Sequence, residues 1–156
     1  MFSKKNNTYF NDAFLISYPD SIKDSNNSPL KTLNHFLNQF NINVNAIHIL
    51  PFMPSSSDSG FSVIDYTEID TNFGNWDDLS DLANKYNVMI DLVLNHTSQE
   101  NEWFKNFQKG SGYGSDYFIE IDNWQGIPQI SRPRTSEVFK EIKVNKKNKK
   151  VWCTFS

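Results

Sequence analysis

The chain has 156 residues, enough for one ordinary domain with a sizeable core. Its net charge is −3 and its isoelectric point is about 5.5, so it has no basic excess to neutralise phosphates, and no nucleic-acid partner is expected. No apolar run reaches the roughly 18 residues that cross a bilayer. The single cysteine, Cys153, rules out an internal disulfide. We therefore expect a cytoplasmic protein without a membrane partner.

The first part of the chain alternates short apolar runs with amphipathic segments. Strands are predicted at residues 13–18, 46–50 and 88–94. Helices are predicted between and after them, with N-caps at Ser28, Asn75 and Ser98 and an end at Gly110. Because the strand runs are apolar throughout, both of their faces should be covered. This pattern is typical of a parallel α/β sheet.

The pattern changes after Gly114, where short strands joined by polar turns are predicted. These strands are placed at residues 117–121, 138–144 and 151–155. The lysine-rich run at 146–150 is interpreted as the solvated tip of a hairpin. The sequence therefore predicts two parts: residues 1–112, which carry the parallel sheet, and residues 113–156, which form a small antiparallel insertion.

Ligands of parallel α/β folds bind at the carboxyl ends of the strands, so the residues there are the candidates for a site. Asp58 and Phe61 lie in the long loop after the second strand, and His96 follows the third. Asp58 could accept hydrogen bonds from sugar hydroxyls, Phe61 could stack on a pyranose, and His96 could donate to a further hydroxyl. On spacing alone, plainer alternatives are favoured: a turn for Asp58, the core for Phe61 and a structural role for His96.

Several other kinds of site do not fit the sequence. The glycine-rich stretch at 110–114 follows a helix rather than a strand, which argues against a dinucleotide or phosphate loop. The histidines His35, His48 and His96 lie too far apart for a zinc motif. Neither a dinucleotide-binding loop nor a zinc site is therefore indicated.

Several short motifs resemble the sucrose phosphorylase branch of the α-amylase clan of glycoside hydrolases. Residues 91–96 (DLVLNH) resemble the clan signature Asp-x-x-x-Asn-His on the third barrel strand. Residues 47–52 (IHILPF) and 58–61 (DSGF) resemble the second strand of sucrose phosphorylases and its loop. Residues 131–134 (SRPR) and 151–156 (VWCTFS) resemble the end of their small B domain.

The resemblance implies an α/β fold made of the first three β/α units of a (β/α)₈ barrel, with a B-domain-like insertion truncated at residue 156. It also implies that Asp58 and His96 hold hydroxyls of a glucosyl unit and that Phe61 stacks on that unit. Arg134 matches an arginine that faces the phosphate or acceptor side, and its guanidinium suits phosphate. An exposed loop with incidental charge is an equal alternative for Arg134.

Four more residues would support the site. By the resemblance, Asp91 is a buried strand residue that orients the site, and Asn95 braces the neighbouring loop. Asp65 and Tyr66 stand where sucrose phosphorylases tend to carry Asp-His. The residues of this stretch look more like those of phosphorylases that act on glucosylglycerate or glucosylglycerol, so the identity of the acceptor is left open.

The activity that the resemblance implies is reversible phosphorolysis of an α-glucoside such as sucrose or glucosylglycerate, with retention and with inorganic phosphate as co-substrate. The resemblance implies no metal ion and no organic cofactor. Members of this family are much longer than this chain, and their nucleophile lies in an Arg-x-Asp motif that the sequence lacks. The chain is therefore expected to be an N-terminal part without the catalytic carboxylates, inactive alone. Two alternatives stay open: a hydrolase or transglucosidase of the same clan, and an inactive truncated product.

Overall fold

The computed structural model describes residues 13–121 and 137–153. Its elements in chain order are β1 (Phe14–Ser17), α1 (Pro29–Gln39), β2 (Ala46–Ile49), α2 (Trp76–Ala83), β3 (Asn87–Ile90), α3 (Glu102–Lys109), β4 (Phe139–Val144) and β5 (Lys147–Trp152). Strands β1, β2 and β3 form a parallel sheet in that order, whereas β4 and β5 form an antiparallel pair. The predicted site residue Arg134 lies outside the described residues.

Side-chain caps fix where the first two helices begin. The Ser28 side chain accepts a hydrogen bond from the backbone of α1, whose first residue is Pro29. Asn75 and Asp78 form a reciprocal capping box at the start of α2, and Asp77 and Asp78 complement the helix dipole. Both predicted helix starts are therefore confirmed.

The predicted start of α3 is wrong by one turn. The N-cap is Asn101, whose side chain accepts a hydrogen bond from the backbone N–H of Trp103 at 2.8 Å. Ser98 instead accepts from the N–H of Glu100 at 3.0 Å, which closes a turn before the helix. The predicted helix end is confirmed, because Gly110 adopts the left-handed conformation with φ 76°.

The main core lies on one side of the parallel sheet, beneath α1 and α2. Its fully buried members are Leu30, Leu33, Leu37, Ile47, Ile49, Phe52, Val63 and Leu82. They come from α1, β2, α2 and the loop after β2, so this loop is anchored in the core. Phe40 continues the helical spacing of Leu33 and Leu37, but it lies at the C-cap of α1 and is exposed.

The opposite face of the sheet is open. Ile16, His48 and Met89 are direct neighbours across the three strands, and Ile16 and Met89 are 63% and 50% exposed. Phe14 on β1 is exposed as well. The expectation that both faces of all three strands are covered is therefore wrong for the described residues. The open face is what the first units of an incomplete barrel would show.

Strand β3 ends at Ile90, short of its predicted end. In the parallel register Ile49 lies opposite Ile90, so Pro51 would come opposite Leu92. Proline has no N–H to donate to the ladder, and the chain leaves the sheet there. Asp91 consequently lies just beyond the strand with its side chain 27% exposed, rather than in a buried strand position.

The second strand of the antiparallel hairpin begins four residues earlier than predicted, and residues 154–155 of that predicted strand lie outside the described residues. The two-residue turn of the hairpin consists of Asn145 and Lys146, both with positive φ, as a type I′ turn requires. The rest of the lysine-rich run belongs to β5, so only its first residue lies at the tip. Residues 117–121, predicted as a strand, make a single isolated bridge from Glu120 to Val151.

The hairpin packs on α3 and shares its core. Phe107 of α3 is buried together with Val144 and Val151, and Phe104 and Phe118 pack against them. The backbone N–H of Asn145 also donates to the carbonyl of Gln108 at 2.8 Å. Helix α3 thus contributes to both parts of the chain, while the division after residue 112 stays a prediction.

We expect the isolated 156-residue chain to self-associate, because apolar side chains cover the open face and β1 and β3 each have one described neighbour. The substitution Ile16→Lys places a charge on this face and should raise the monomer fraction, as measured by size exclusion with light scattering. Gln39→Lys adds the same charge on α1 and should change nothing. A monomer of the unaltered chain with a sharp cooperative melt would refute the expectation.

Candidate functional site

The loop after β2 folds back on itself at the carboxyl edge of the sheet. The N–H of Ser56 donates to the carbonyl of Ser62 at 3.0 Å, and the N–H of Ile64 donates to the carbonyl of Pro54 at 2.7 Å. The tip between these bonds is one 3₁₀ turn, Asp58–Gly60. The Asp58 side chain is therefore carried at the exposed end of an ordered loop.

Gly60 sets the position of this tip against the strand. Its φ is 97°, and a Cβ at this residue would lie 2.8 Å from Cβ of Pro51, so only glycine fits both the conformation and the contact. The next residue, Phe61, donates its N–H to the carbonyl of Asp58 at 3.1 Å. The ring of Phe61 is partly buried and packs against the main core. Phe61 therefore makes the core contacts that its alternative assignment as a core residue requires.

The loop after β2 is fastened to the segment after β3. Val63 accepts the backbone N–H of Ser98 at 2.9 Å, and the hydroxyls of Ser56 and Ser98 lie 2.7 Å apart. The side-chain amide of Asn101 donates to the carbonyl of Ile64 at 2.7 Å. Ser98 and Asn101 are buried, so these bonds are shielded from water. The two loops that carry the predicted site residues therefore form one unit.

Tyr66 holds the segment that carries His96. Its hydroxyl lies 2.7 Å from the carbonyl oxygen of Val93 and 2.9 Å from that of His96, to which it donates. Its ring stacks on Trp103 with centroids 5.1 Å apart and planes 10° apart. Burial raises the pKa of the Tyr66 phenol above its ordinary value of 10.0. The phenol is therefore a protonated donor throughout the neutral range.

The side chain of Asp65 stabilises the turn in which it lies. Its carboxylate accepts hydrogen bonds from the hydroxyl and the backbone N–H of Thr67, each at 2.7 Å. These bonds hold the pKa of Asp65 below its ordinary value. The carboxylate does not line the cavity described below, so its place fits support of the loop rather than contact with a ligand.

The carboxylate of Asp91 is hydrogen-bonded to a histidine of the neighbouring strand. Oδ1 of Asp91 lies 2.9 Å from Nε2 of His48, and both side chains are partly exposed on the open face of the sheet. This contact ties the end of β3 to the middle of β2. The orienting role predicted for Asp91 thus has a concrete partner, which the sequence did not reveal.

A cavity of about 380 Å³ lies between the two fastened loops, α3 and the hairpin. The polar part of its described wall consists of Ser56, Ser57, Ser62, Asn95, His96, Thr97, Gln99, Gln108 and Lys140. The aromatic part consists of Tyr66, Trp103, Phe104, Tyr117, Phe118 and Trp152. Amide and hydroxyl groups opposite aromatic rings are typical of sites for small polar ligands.

The cavity brings together some of the predicted site residues and not others. Asn95 and His96 line it, and both ring nitrogens of His96 are buried. Asp58 and Phe61 do not line it, although Ser57 and Ser62 beside them in the chain do. The convergence of Asp58, Phe61 and His96 on one ligand therefore stays a prediction.

The contact of Trp103 with Tyr66, which places Trp103 in the cavity wall, was not predicted from the sequence. Trp103 stacks on Tyr66, whereas Phe104 and Phe107 pack against the hairpin. Trp103 and Phe104 are separated by about 100° around the helix, which is enough to reach two elements. This width was a usable signal in the sequence.

Two kinds of feature are absent from the part of the chain that the structure describes. There, no three His, Cys, Asp or Glu side chains are grouped so that they could hold a metal ion. None of the described helices combines the length and the apolar character needed to cross a membrane.

Comparison with known proteins gives the family. Residues 16–151 match the alpha-amylase catalytic domain. The chain belongs to the alpha-amylase family. Its three parallel strands and antiparallel hairpin are consistent with part of the barrel of that family.

Relatives of this alpha-amylase family chain include several phosphorylases. It is 39% identical to the glucosylglycerate phosphorylase of Spirochaeta thermophila over 93% of the chain and 25% of that protein. It is 39% identical to the sucrose phosphorylase of Streptococcus mutans over 82% of the chain and 26% of that protein. The crystal structure of sucrose 6F-phosphate phosphorylase from Thermoanaerobacter thermosaccharolyticum matches with a TM-score of 0.78 and 36% identity, covering 93% of this chain and 31% of that one. The chain thus spans about a quarter of the length of the curated relatives it matches.

We expect Asn101→Ala to loosen the junction between the two loops, because it removes both the cap of α3 and the bond to Ile64. Losing a buried bond of this kind costs about 1–3 kcal/mol. In the full product of the reading frame that contains this chain, amide exchange at Ser98 should therefore accelerate about tenfold or more. Glu100→Ala changes an exposed neighbour and serves as the control. Unchanged exchange in Asn101→Ala would show that the junction does not depend on this side chain.

Tyr66→Phe should destabilise the same full product by about 1 kcal/mol, because two carbonyls lose their shared donor. The folded-state pKa of Tyr66 is raised above 10.0, so this contribution is fully present below that pH and is lost as pH rises through the folded pKa. Chemical denaturation at neutral and alkaline pH measures both effects. Tyr18→Phe, at a partly exposed tyrosine, is the control. Equal stability of Tyr66→Phe and the unaltered protein at neutral pH would contradict this role.

Proposed function

We propose that this chain forms part of the glucosyl-binding wall of a retaining α-glucoside phosphorylase. The enzyme would transfer a glucosyl unit between an acceptor and inorganic phosphate, using sucrose, glucosylglycerate or glucosylglycerol as the donor. In fold terms, the chain would supply the first three β/α units of the barrel and a B-domain-like insertion. No metal ion or organic cofactor enters this proposal.

One observation carries the proposal: a polar and aromatic cavity at the carboxyl edge of the sheet, in a chain whose relatives are phosphorylases. The named activities of these relatives are glucosylglycerate, sucrose and glucosylglycerol phosphorylase. Amide, hydroxyl and imidazole groups suit the hydroxyls of a sugar, and the aromatic wall suits its apolar face. The chemistry of the cavity wall and the activities of the relatives therefore both favour a sugar as the ligand.

The proposed roles of the site residues follow the resemblance. His96 would donate to one hydroxyl of the glucosyl unit, and Asp58 would accept from others. Phe61 would stack on the ring with the part of its surface that the core leaves free. Arg134 would face the phosphate or acceptor side. Asn95, Asp91, Asp65 and Tyr66 would hold the loops in place.

The proposed chemistry has two steps. A carboxylate attacks the anomeric carbon while a carboxylic acid protonates the departing acceptor oxygen, and a phosphate oxygen then displaces the first carboxylate with net retention. The two carboxyl groups must lie about 5–5.5 Å apart. No Asp or Glu is among the described residues that line the cavity. The contribution we propose for this chain is therefore binding and positioning.

Release of glucose 1-phosphate by the full product of the reading frame tests the proposal. We expect release from sucrose, glucosylglycerate or glucosylglycerol only when phosphate is present. His96→Ala should lower the rate by about ten- to a hundredfold, because a hydrogen bond to the reacting sugar is lost. His35→Ala, at an exposed histidine of α1, should leave the rate unchanged.

Residues 1–156 alone should release no glucose 1-phosphate. Release by this chain alone would refute the assignment of a purely binding role. Equal release of free glucose with and without phosphate would identify the full product as a hydrolase and overturn the phosphorylase proposal.

A further inference from the structure

The described wall of the cavity carries an unbalanced charge. It includes one lysine, Lys140, and no aspartate or glutamate. The other polar groups of the described wall are amides, hydroxyls, the imidazole of His96 and the thiol of Cys153. A neutral sugar needs no ammonium group, because hydroxyls and amides satisfy its hydrogen bonds. The cavity therefore has a feature that the glucosyl unit does not explain.

The hairpin directs Lys140 to the cavity by strand alternation. Lys140 lies opposite Val151 on β5, and it shares a face of β4 with Ile142 and Val144. Val144 and Val151 are buried against α3, so this face of the hairpin points inward. Lys140 is the residue of that face nearest the start of β4, where the wall opens to water.

The carboxylate of Glu120, which lies beside β5, is already engaged. Glu120 forms a bridge with Val151 on the side of β5 away from Lys140. Its Oε2 accepts a hydrogen bond from Nζ of Lys149 at 2.6 Å. Among the described residues no carboxylate forms an ion pair with Lys140, so its ammonium is available to an anionic group in the cavity.

We propose that Lys140 binds an anionic group on the acceptor half of the glucoside, and that this lysine makes the site prefer acidic over neutral acceptors. The proposal rests on the proposed glucoside-binding function and adds the charge of the acceptor. The shared chemistry is an oxyanion, either a carboxylate or a phosphate ester. Both accept charge-assisted hydrogen bonds from an ammonium group. Lys140 acts on affinity and needs no part in bond cleavage.

Matched pairs of glucosides test the proposal by calorimetric titration of the full product of the reading frame. Glucosylglycerate and glucosylglycerol differ in a carboxylate, and sucrose 6F-phosphate and sucrose differ in a phosphate. At low salt, we expect at least one anionic member to bind about three- to tenfold more tightly than its neutral partner. High salt should reduce this ratio, because Lys140 is exposed to the solvent.

Three variants test whether Lys140 causes the ratio between the affinities for the anionic and the neutral glucoside. Lys140→Gln should bring this ratio close to one without lowering the affinity for the neutral glucosides, whereas Lys140→Arg should preserve the ratio. Lys143→Gln removes the same charge from the outward face of β4 and should leave it unchanged. The pair of glucosides whose affinity ratio falls in Lys140→Gln shows whether the site binds a carboxylate or a phosphate.

The possible failures are distinguishable. Equal binding of both members of each pair by the unaltered protein would overturn the role of Lys140 and leave the glucoside proposal standing. An anionic preference that survives in Lys140→Gln, or falls as much in Lys143→Gln, would also overturn it. Absence of binding to all four glucosides would overturn both proposals together.

Discussion

The hydrogen bonds between the loop after β2 and the segment after β3 are the constraint on which the candidate site depends. Parallel strands deliver their loops to one edge of a sheet, but they do not fix how two long loops lie against each other. Here buried Ser98 and Asn101 satisfy backbone groups of the neighbouring loop, at Val63 and Ile64. Breaking these bonds would leave polar groups buried without partners, so the loops keep one arrangement. The cavity wall is built on that arrangement.

Much of the fold could be predicted because its signals are local. Ser28 followed by Pro29, and Asn75 followed three residues later by Asp78, mark helix starts within one turn of chain. The start of α3 was predicted wrongly because Ser98 and Asn101 are both good caps, and local sequence does not rank them. The extent of each strand depended on pairing, which a single run of residues does not contain.

The site was less predictable because its contacts join distant residues. The Tyr66 hydroxyl reaches carbonyls 27 and 30 residues away, and His48 meets Asp91 across 43 residues. No periodicity or spacing encodes such pairs. The resemblance to phosphorylases named residues such as His96 that line the cavity, but it said nothing of Lys140, which owes its place to the register of the hairpin.

The shared core of α3 and the hairpin has a consequence for how a ligand enters. Phe107, Val144 and Val151 are buried together, and Asn145 is hydrogen-bonded to the end of α3, so the hairpin and the helix form one rigid body. A hinge at the base of the hairpin alone would have to tear this core open. Opening of the cavity on the hairpin side would therefore require the hairpin and α3 to move together as one packed unit, whereas a ligand that enters beside the exposed Lys140 requires no such movement.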